Sequence, residues 1–366
     1  MKTYRLSLKL LGTASVSIGL VIILFLLSEK EVHRNNAFTR RYPPHPITKK
    51  YDMDLGFNSY YIAGHDHNLL YLGNSTAPWH LLQVDLNTRD TSHIQLKPRF
   101  PELEYRSLKI NVTPPYFFVM DGTVPFILRG KLEEGMADPW MMGTSYFSRA
   151  LPIDSNTVFI RALSAKNRTS TLGLIKKYKE FQVRLDTTLL EAQIDGVFDV
   201  DGMILKNGDA RNMAYVYYYR NQFITMDFQL EHISRQRTID TVQQTSIKVA
   251  GADRQGAVAM KAPPLIINKS ASMSNDFLFI QSERLGRNES REMLDQASII
   301  DVYDYKKKTY EFSFYLYKIA NSSAREFAIC EDRLVALIGN KLSVYRTMAP
   351  FFNRNPLEST KETTGQ

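Results

Sequence analysis

A repeated strand pattern is the feature that most constrains the fold. Three segments, 80–96, 222–239 and 297–314, each contain an apolar strand, an aspartate near its end, a polar turn and a second strand. Another strand precedes each segment, and weaker copies bring the number of units to six. The third strands of these units begin near residues 82, 125, 172, 223, 299 and 342. A spacing of about 50 residues is typical of four-stranded propeller blades, so the sequence predicts an all-β, six-bladed β-propeller.

The last unit raises the question of how such a ring would close. Its middle strand is apolar on both faces, so both faces must be covered by neighbouring blades. The unit contains only three strands, and the residues after 347 supply no fourth. A strand-like segment at 46–55 precedes the first unit. We therefore predict that residues 46–55 pair with 341–346 and complete the last blade, which would remove an exposed edge.

One segment near the N-terminus is apolar enough to cross a membrane. Residues 10–27 are uncharged and mostly apolar, which matches the thickness of a bilayer core. A cleaved secretory signal is the alternative, but no small-residue cleavage motif follows the segment. The basic residues before the segment resemble an ordinary export signal. We therefore expect an uncleaved anchor, with the N-terminus in the cytoplasm and the body on the other side.

The positive charge lies mainly outside the predicted body. The chain carries a formal net charge of +8, and residues 1–50 contain seven more basic than acidic residues. The remaining body is nearly neutral, so it offers no general electrostatic attraction for a phosphate backbone. The sequence therefore predicts no nucleic-acid partner, and the basic segment after the anchor is expected to lie near anionic lipid headgroups.

These observations divide the chain into five parts. We predict a cytoplasmic basic tail (1–9), a transmembrane anchor (10–27), a stalk linker rich in proline (28–45), a six-bladed β-propeller (46–347) and a polar C-terminal tail (348–366). Cys330 is the only cysteine, so an intramolecular disulfide is not possible, and its apolar strand predicts a buried thiol.

The repeat and the anchor together resemble a known architectural class. The pattern of an apolar strand with Val-x-Asp, a polar turn and a second strand is similar to six-bladed β-propeller proteins of the Bacteroidota cell envelope, which are related in shape to NHL-type propellers. The resemblance covers about residues 50–347 and supplies no catalytic or ligand-binding residue. It implies a bacterial protein of the inner membrane, with a single span and the propeller in the periplasm.

Two short motifs could carry metal chemistry. His65 and His67 flank Asp66, but a metal site needs three or four ligands, and a polar turn is the favoured interpretation. Two Asp-x-Asp pairs, at 52–54 and 199–201, would suit a glycosyltransferase that binds a divalent cation. That enzyme needs a nucleotide-binding α/β domain, and the chain shows no strand–helix alternation, so structural aspartates are favoured.

Other sequence features bear on partners. The tyrosine-rich segment 214–223 could offer a platform for a sugar, although such strands are common in cores. Six glycosylation sequons are consistent with the alternative of a eukaryotic type II membrane glycoprotein; they begin at Asn74, Asn111, Asn167, Asn268, Asn288 and Asn321.

The sequence predicts function only in outline. We expect a membrane-tethered extracytoplasmic binding or scaffolding module that presents its propeller to another envelope protein or a glycan. The alternative is an envelope hydrolase or lyase with its site at the channel mouth. No cofactor or metal is predicted, and no catalytic or binding residue is assigned. An enzyme should bring carboxylates, histidines or a metal together at the channel, whereas a scaffold should present an apolar or aromatic patch.

Overall fold

The computed structural model describes residues 2–32, 38–100, 102–166, 168–207, 211–248, 260, 262–287 and 289–352. Parts of the long insertion before the fifth unit, of the predicted stalk and of the C-terminal tail lie outside these ranges. Helix α1 (Lys2–Val32) opens the chain. Its stretch Lys9–Leu27 has a mean hydropathy of 2.6. At 1.5 Å per residue this stretch is about 28 Å long, so the helix is long and apolar enough to cross a membrane.

The described strands form six sheets, which we call blades 1 to 6. Blade 1 contains β2 (Tyr60–Asp66), β3 (Leu69–Asn74), β4 (His80–Asp85) and β5 (Thr91–Gln95). Blade 2 contains β6 (Lys97–Pro98), β7 (Lys109–Thr113), β8 (Tyr116–Asp121), β9 (Phe126–Lys131) and β10 (Met136–Met142). Blade 3 contains β11 (Arg149–Pro152), β12 (Thr157–Leu163), β13 (Ser170–Lys177) and β14 (Phe181–Asp186).

Blade 4 contains β15 (Gly202–Asn207), β16 (Asn212–Tyr217), β17 (Gln222–Asp227) and β18 (Ser234–Arg237). Blade 5 contains β19 (Asn268–Ser274), β20 (Phe277–Ser282), β21 (Ala297–Asp304) and β22 (Thr309–Tyr317), with the short helix α2 (Arg291–Gln296) between β20 and β21. Blade 6 contains β23 (Ala324–Cys330), β24 (Arg333–Ile338), β25 (Lys341–Thr347) and, from the N-terminal side, β1 (Ile47–Asp54). Helix α3 (Ala349–Phe352) follows.

The predicted six-bladed propeller is confirmed, and so is the spacing of its units. The third strand of each blade begins within three residues of the predicted position; these strands are β4, β9, β13, β17, β21 and β25. Blade 2 differs from the predicted four strands, because β6 pairs in parallel with β10 and adds a fifth. The chain leaving blade 1 thus covers the outer edge of blade 2, which would otherwise expose unpaired backbone groups.

The core consists of apolar layers between neighbouring blades. Each of six buried clusters joins two adjacent blades, so every blade is covered on both faces. Strand β24 shows how the sequence produces this arrangement. Leu334, Ala336 and Ile338 pack toward blade 5, whereas Val335 and Leu337 pack toward blade 1. Alternating side chains of a strand point to opposite faces, so a strand that is apolar at every position is suited to this environment.

The ring closes as the sequence predicts. Strand β1 pairs with β25 antiparallel, from Ile47 opposite Thr347 to Asp54 opposite Lys341. It forms the outer strand of blade 6, and its residues Tyr51 and Met53 pack on the cluster shared with blade 1. The two ends of the propeller are therefore joined within one blade.

The last residues of the predicted stalk also pack on the propeller, which the sequence did not reveal. The side chain of Arg40 is fully buried and forms ion pairs with Glu289 (2.5 Å) and Asp301 (2.6 Å). Although burial acts to lower the pKa of Arg40, these carboxylates raise it above its ordinary value. The Arg41 carbonyl accepts a hydrogen bond from the Ser313 N–H at 2.8 Å. This part of the predicted linker is therefore fixed to blade 5.

The first residues after the propeller are also ordered against it. Phe352, in α3, is buried and its ring stacks on Phe279 with centroids 5.8 Å apart. It also contacts Phe312 and Phe314 of blade 5. Residues 348–352 thus belong to the packed body, and the rest of the predicted polar tail lies outside the described residues.

Candidate functional site

The histidine motif lies partly in the predicted turn: His65 and Asp66 end β2, and His67 lies in the turn between β2 and β3. His67 is exposed, and its Nδ1 lies 2.6 Å from Glu331 Oε1 in the turn between β23 and β24. The motif thus joins blade 1 to blade 6.

The Asp-x-Asp pairs stabilise local structure and lie in different parts of the ring. Asp199 is buried and accepts hydrogen bonds from the backbone N–H groups of Ile194 (2.9 Å) and Gly196 (2.6 Å). Asp201 forms an ion pair with Arg161. Asp52 accepts a hydrogen bond from the Ser343 hydroxyl at 2.7 Å. The structure therefore does not bring the two pairs together as a cation site.

The tyrosine-rich segment divides between the core and the channel. Tyr215 and Tyr217 are buried between blades 3 and 4, so their strand is not a platform for a sugar. Tyr218, the next residue, lines the central cavity. Burial raises the pKa of its phenol, which therefore stays neutral at ordinary pH.

In two glycosylation sequons the asparagine side chain is buried and hydrogen-bonded within the protein. Asn74 is buried, and its side-chain oxygen accepts hydrogen bonds from Thr76 and Ala77. Asn268 is buried, and its amide donates to the carbonyls of Tyr217 and Arg220. Neither side chain is accessible for glycan attachment in the folded protein.

Two clusters of possible metal ligands were not found from the sequence. His80 Nε2 lies 2.8 Å from His93 Nδ1 on neighbouring strands of blade 1. Asp227, Glu231 and His232 lie together in the turn between β17 and β18. Asp227 already accepts a hydrogen bond from the Glu231 N–H and contacts His232 Nδ1 at 2.7 Å, which explains the cluster as a stabilised turn.

A cavity with a volume of 680 Å³ occupies the central channel. Its wall is built from the first strand of every blade: β2, β7, β11, β15, β19 and β23. Most lining residues come from the beginnings of these strands and from nearby loops, such as Phe147 and Ser148. The cavity therefore opens on the face where the first strands begin. We call this face the mouth face and the opposite face the far face.

Basic residues surround the channel mouth. Lys109 and Arg149 are the first residues of β7 and β11, and Lys269 and Arg325 are the second residues of β19 and β23. All four line the cavity and come from four different blades. Glu326 is the one carboxylate among the described lining residues, and none of these residues is a histidine. The mouth therefore carries an excess of positive charge.

Two of these basic residues occupy β-bulges. The pairing of β19 with β20 shifts between Asn268 and Ser270, so Lys269 is the additional residue. The pairing of β23 with β24 shifts in the same way at Arg325. A bulge changes the direction of the local side chains and is common beside functional sites. Lys269 is also paired with Glu283 at 3.0 Å.

Lys109 and Arg149 act on each other electrostatically. Burial lowers the pKa of Lys109; Arg149 lowers it further, and Glu326 opposes the change. The Lys109 ammonium lies 4.0 Å from the centroid of the Tyr61 ring. Among the residues that the structure describes, no carboxylate lies within ion-pair distance of the Lys109 or Arg149 side chain. Two cations of neighbouring blades thus line the mouth without a direct ion pair, and the attraction of Glu326 for Lys109 outweighs the repulsion by Arg149.

Glu326 is held in a less polar position than the cations. Burial raises its pKa, although the Ile62 N–H, which donates to Glu326 Oε2 at 3.0 Å, and the charge of Lys109 oppose this rise. Its backbone contact joins blade 6 to blade 1, so this carboxylate contributes to the wall of the channel.

Lys206 is not part of the cavity lining, and it joins its own blade 4 to blades 2 and 3. Its Nζ donates hydrogen bonds to Thr113 Oγ1 (2.6 Å) and to the Pro152 carbonyl (2.7 Å). Thr113, Pro152 and Lys206 lie at or near the ends of β7, β11 and β15, toward the far face. Burial lowers the pKa of Lys206 to about 8.

A second, smaller cavity lies on the outer edge of blade 2. It has a volume of 360 Å³ and is lined mainly by apolar side chains, including Phe100, Leu103 and Met142. Phe100 and Met142 are more than half exposed. The cavity lies where the chain after β6 crosses β9 and β10.

Comparisons with solved structures agree with the fold. A member of the DUF4221 family from Bacteroides vulgatus is similar with a TM-score of 0.53 and 11% sequence identity, covering 82% of this chain and 97% of its own. The chain shares its propeller fold. A candidate exported protein from Bacteroides fragilis gives a TM-score of 0.49 at 10% identity, over 87% of this chain and 99% of its own.

No protein-family profile matches the chain, and no curated protein matches it either. The similarity to the DUF4221 member supports the fold, and none of the comparisons assigns an activity.

Proposed function

We propose that the protein is a membrane-tethered binding module of the bacterial envelope, and that its ligand or partner binds at the channel mouth. Helix α1 anchors the chain in the inner membrane, and the propeller lies in the periplasm. The single observation that carries the proposal is the 680 Å³ cavity, which is lined by all six blades and has an excess of cations. Its volume lies within the range of about 300–1,000 Å³ typical of ligand sites.

The composition of the mouth favours binding over hydrolysis. A hydrolase or lyase of the expected kind would bring carboxylates or histidines together there. The described lining instead combines Lys109, Arg149, Lys269 and Arg325 with Glu326, whose backbone contact gives it a structural role. Tyr61 and Tyr218 add aromatic surface. This combination is suited to holding an anionic group.

Photo-crosslinking in native membranes tests the proposal, and the chain offers a matched pair of positions. Tyr146 is 68% exposed in the loop that leads to β11 on the mouth face. Tyr178 is 67% exposed in the turn between β13 and β14 on the far face. Each is replaced in the full chain by p-benzoyl-phenylalanine, which reacts with nearby C–H bonds.

We expect a discrete cross-linked product from position 146 and none from position 178. Equal products at the two positions, or a product from position 178 alone, would contradict a binding site at the mouth.

A further inference from the structure

We propose that the channel mouth binds an acidic saccharide, whose carboxylates are held by Lys109 and Arg149 while its sugar rings lie against aromatic side chains. This inference rests on the proposed function and names the chemical class of its ligand.

The first argument is the excess of positive charge. Like charges held close together destabilise a protein unless anions balance them. Lys109 and Arg149 come from neighbouring blades and line the same cavity, where Glu326 is the one carboxylate among the described lining residues. Glu326 offsets the repulsion between Lys109 and Arg149, but it is a single carboxylate among four basic residues of the lining. A carboxylate placed between them would relieve this repulsion and form charge-assisted hydrogen bonds with both side chains. The guanidinium group of Arg149 suits the bidentate geometry of a carboxylate.

The second argument is the distribution of the cations. Lys269 lies in blade 5 and Arg325 lies in blade 6, and a β-bulge positions each of them. Arg325 donates to the carbonyl oxygens of Tyr60 (3.2 Å) and Gly339 (3.4 Å), which positions its side chain at the mouth. Lys269 is already paired with Glu283, so three cations from three blades remain, and they match a ligand that carries several separated anionic groups better than a single small anion.

The third argument is the aromatic surface beside Arg149. Phe147 and Tyr218 line the same cavity as Arg149. Tyr combines an apolar face with a hydrogen-bonding hydroxyl, and both suit the alternating C–H and hydroxyl surfaces of a sugar ring. The lining of Lys, Arg, Tyr and Phe therefore fits a sugar acid.

Isothermal titration calorimetry of the full chain in detergent tests the inference. The probes are the trimer of galacturonic acid, the neutral trimer of galactose, and citrate, which has three carboxylates and no sugar ring. We expect binding of the acidic trimer that weakens with added salt, and weaker binding of the other two probes.

Variants locate the site. We expect Arg149→Gln and Lys109→Gln each to weaken binding of the acidic trimer by about tenfold, since each removes a charge-assisted contact. Arg149→Lys should retain more affinity than Arg149→Gln. Lys307→Gln is the matched control, because Lys307 is an exposed lysine in the far-face turn between β21 and β22. Unchanged unfolding temperatures would establish that the variants are folded.

Several results would overturn the inference. The inference is wrong if the acidic trimer does not bind, or if the neutral trimer or citrate binds equally well. It is also wrong if the Lys307→Gln control loses as much affinity as the mouth variants. If position 146 still cross-links to a partner while the acidic trimer does not bind, the saccharide is wrong and the binding function stands. If the partner cross-linked there is a protein with an acidic segment, the inference is also wrong.

Discussion

Arg40 Nε donates a hydrogen bond to Asp301 Oδ1 at 2.6 Å, and this contact joins the segment that follows helix α1 to blade 5. The same guanidinium donates to Glu289 Oε2 at 2.5 Å and to Ser282 Oγ at 2.9 Å. One side chain from outside the blade thus holds Asp301, Glu289 and Ser282.

We expect Arg40→Met to lower the free energy of unfolding by about 3–5 kcal/mol, because the carboxylates of Asp301 and Glu289 would remain buried without their partner. The matched control is Arg99→Met. Arg99 pairs with Asp138, but both side chains are about half exposed, so its removal should cost no more than about 1 kcal/mol. Chemical denaturation measures both values. Equal losses in the two variants would show that the Arg40 contact is not the stronger one.

Closure of the ring predicts a difference between two truncations. Deleting residues 1–35 leaves β1 intact and should yield a folded domain with an unfolding temperature close to that of the full chain. Deleting residues 1–56 removes β1, exposes the edge of β25 and removes Tyr51 and Met53 from the interface with blade 1. It also removes Arg40, whose separate cost is measured by the Arg40→Met variant. Beyond that cost, the loss of β1 should lower the free energy of unfolding by about 3–6 kcal/mol and promote aggregation. Identical unfolding temperatures for the two truncations would disprove closure.

Lys206 predicts a specific dependence of stability on pH. Its pKa in the folded protein is lowered to about 8 by burial, whereas its ordinary value is 10.5. Between these values the unfolded chain binds more protons than the folded protein, so the free energy of unfolding rises with pH. At pH 10.5 the free energy of unfolding is therefore higher by about 3 kcal/mol than it is below about pH 8.

The measurement is the difference in unfolding free energy between the wild type and Lys206→Met, determined from pH 7 to pH 10.5. We expect the wild type to gain stability relative to the variant across this interval. A constant difference would mean that Lys206 titrates at its ordinary pKa.

The sequence was sufficient for the fold because each blade carries local signals. Alternation, turns and the aspartates at strand ends recur in every unit, and a strand apolar on both faces, such as β24, requires neighbours on both sides. Closure was predictable for the same reason, since β25 lacked a partner and residues 46–55 were unassigned. The packing of Arg40 was not predictable, because its partners Glu289 and Asp301 lie about 250 residues away in the sequence and follow no repeat.

The candidate site was harder to predict, since it depends on the alignment of the first strands. Lys109, Arg149, Lys269 and Arg325 occupy similar places at the start of those strands, which aligned blades would have revealed. The third strands carry a stronger pattern, and the repeat is visible from them. The bulges at Lys269 and Arg325 also shift these residues by one position, which obscures the alternation that places a side chain in the channel.

The central claim is that ligands bind at the channel mouth, and hydrogen–deuterium exchange of the full chain with the galacturonic acid trimer tests it most directly. The mouth-face loops 104–108, 143–148 and 218–221 should become more protected, while the far-face turns 178–180 and 305–308 should not change. Bound ligand excludes water from the backbone it covers, so protection reports the location of the site. Protection limited to the mouth face is the result predicted here. Protection at the far-face turns would contradict binding at the mouth, and protection at neither face would contradict an acidic saccharide as the ligand.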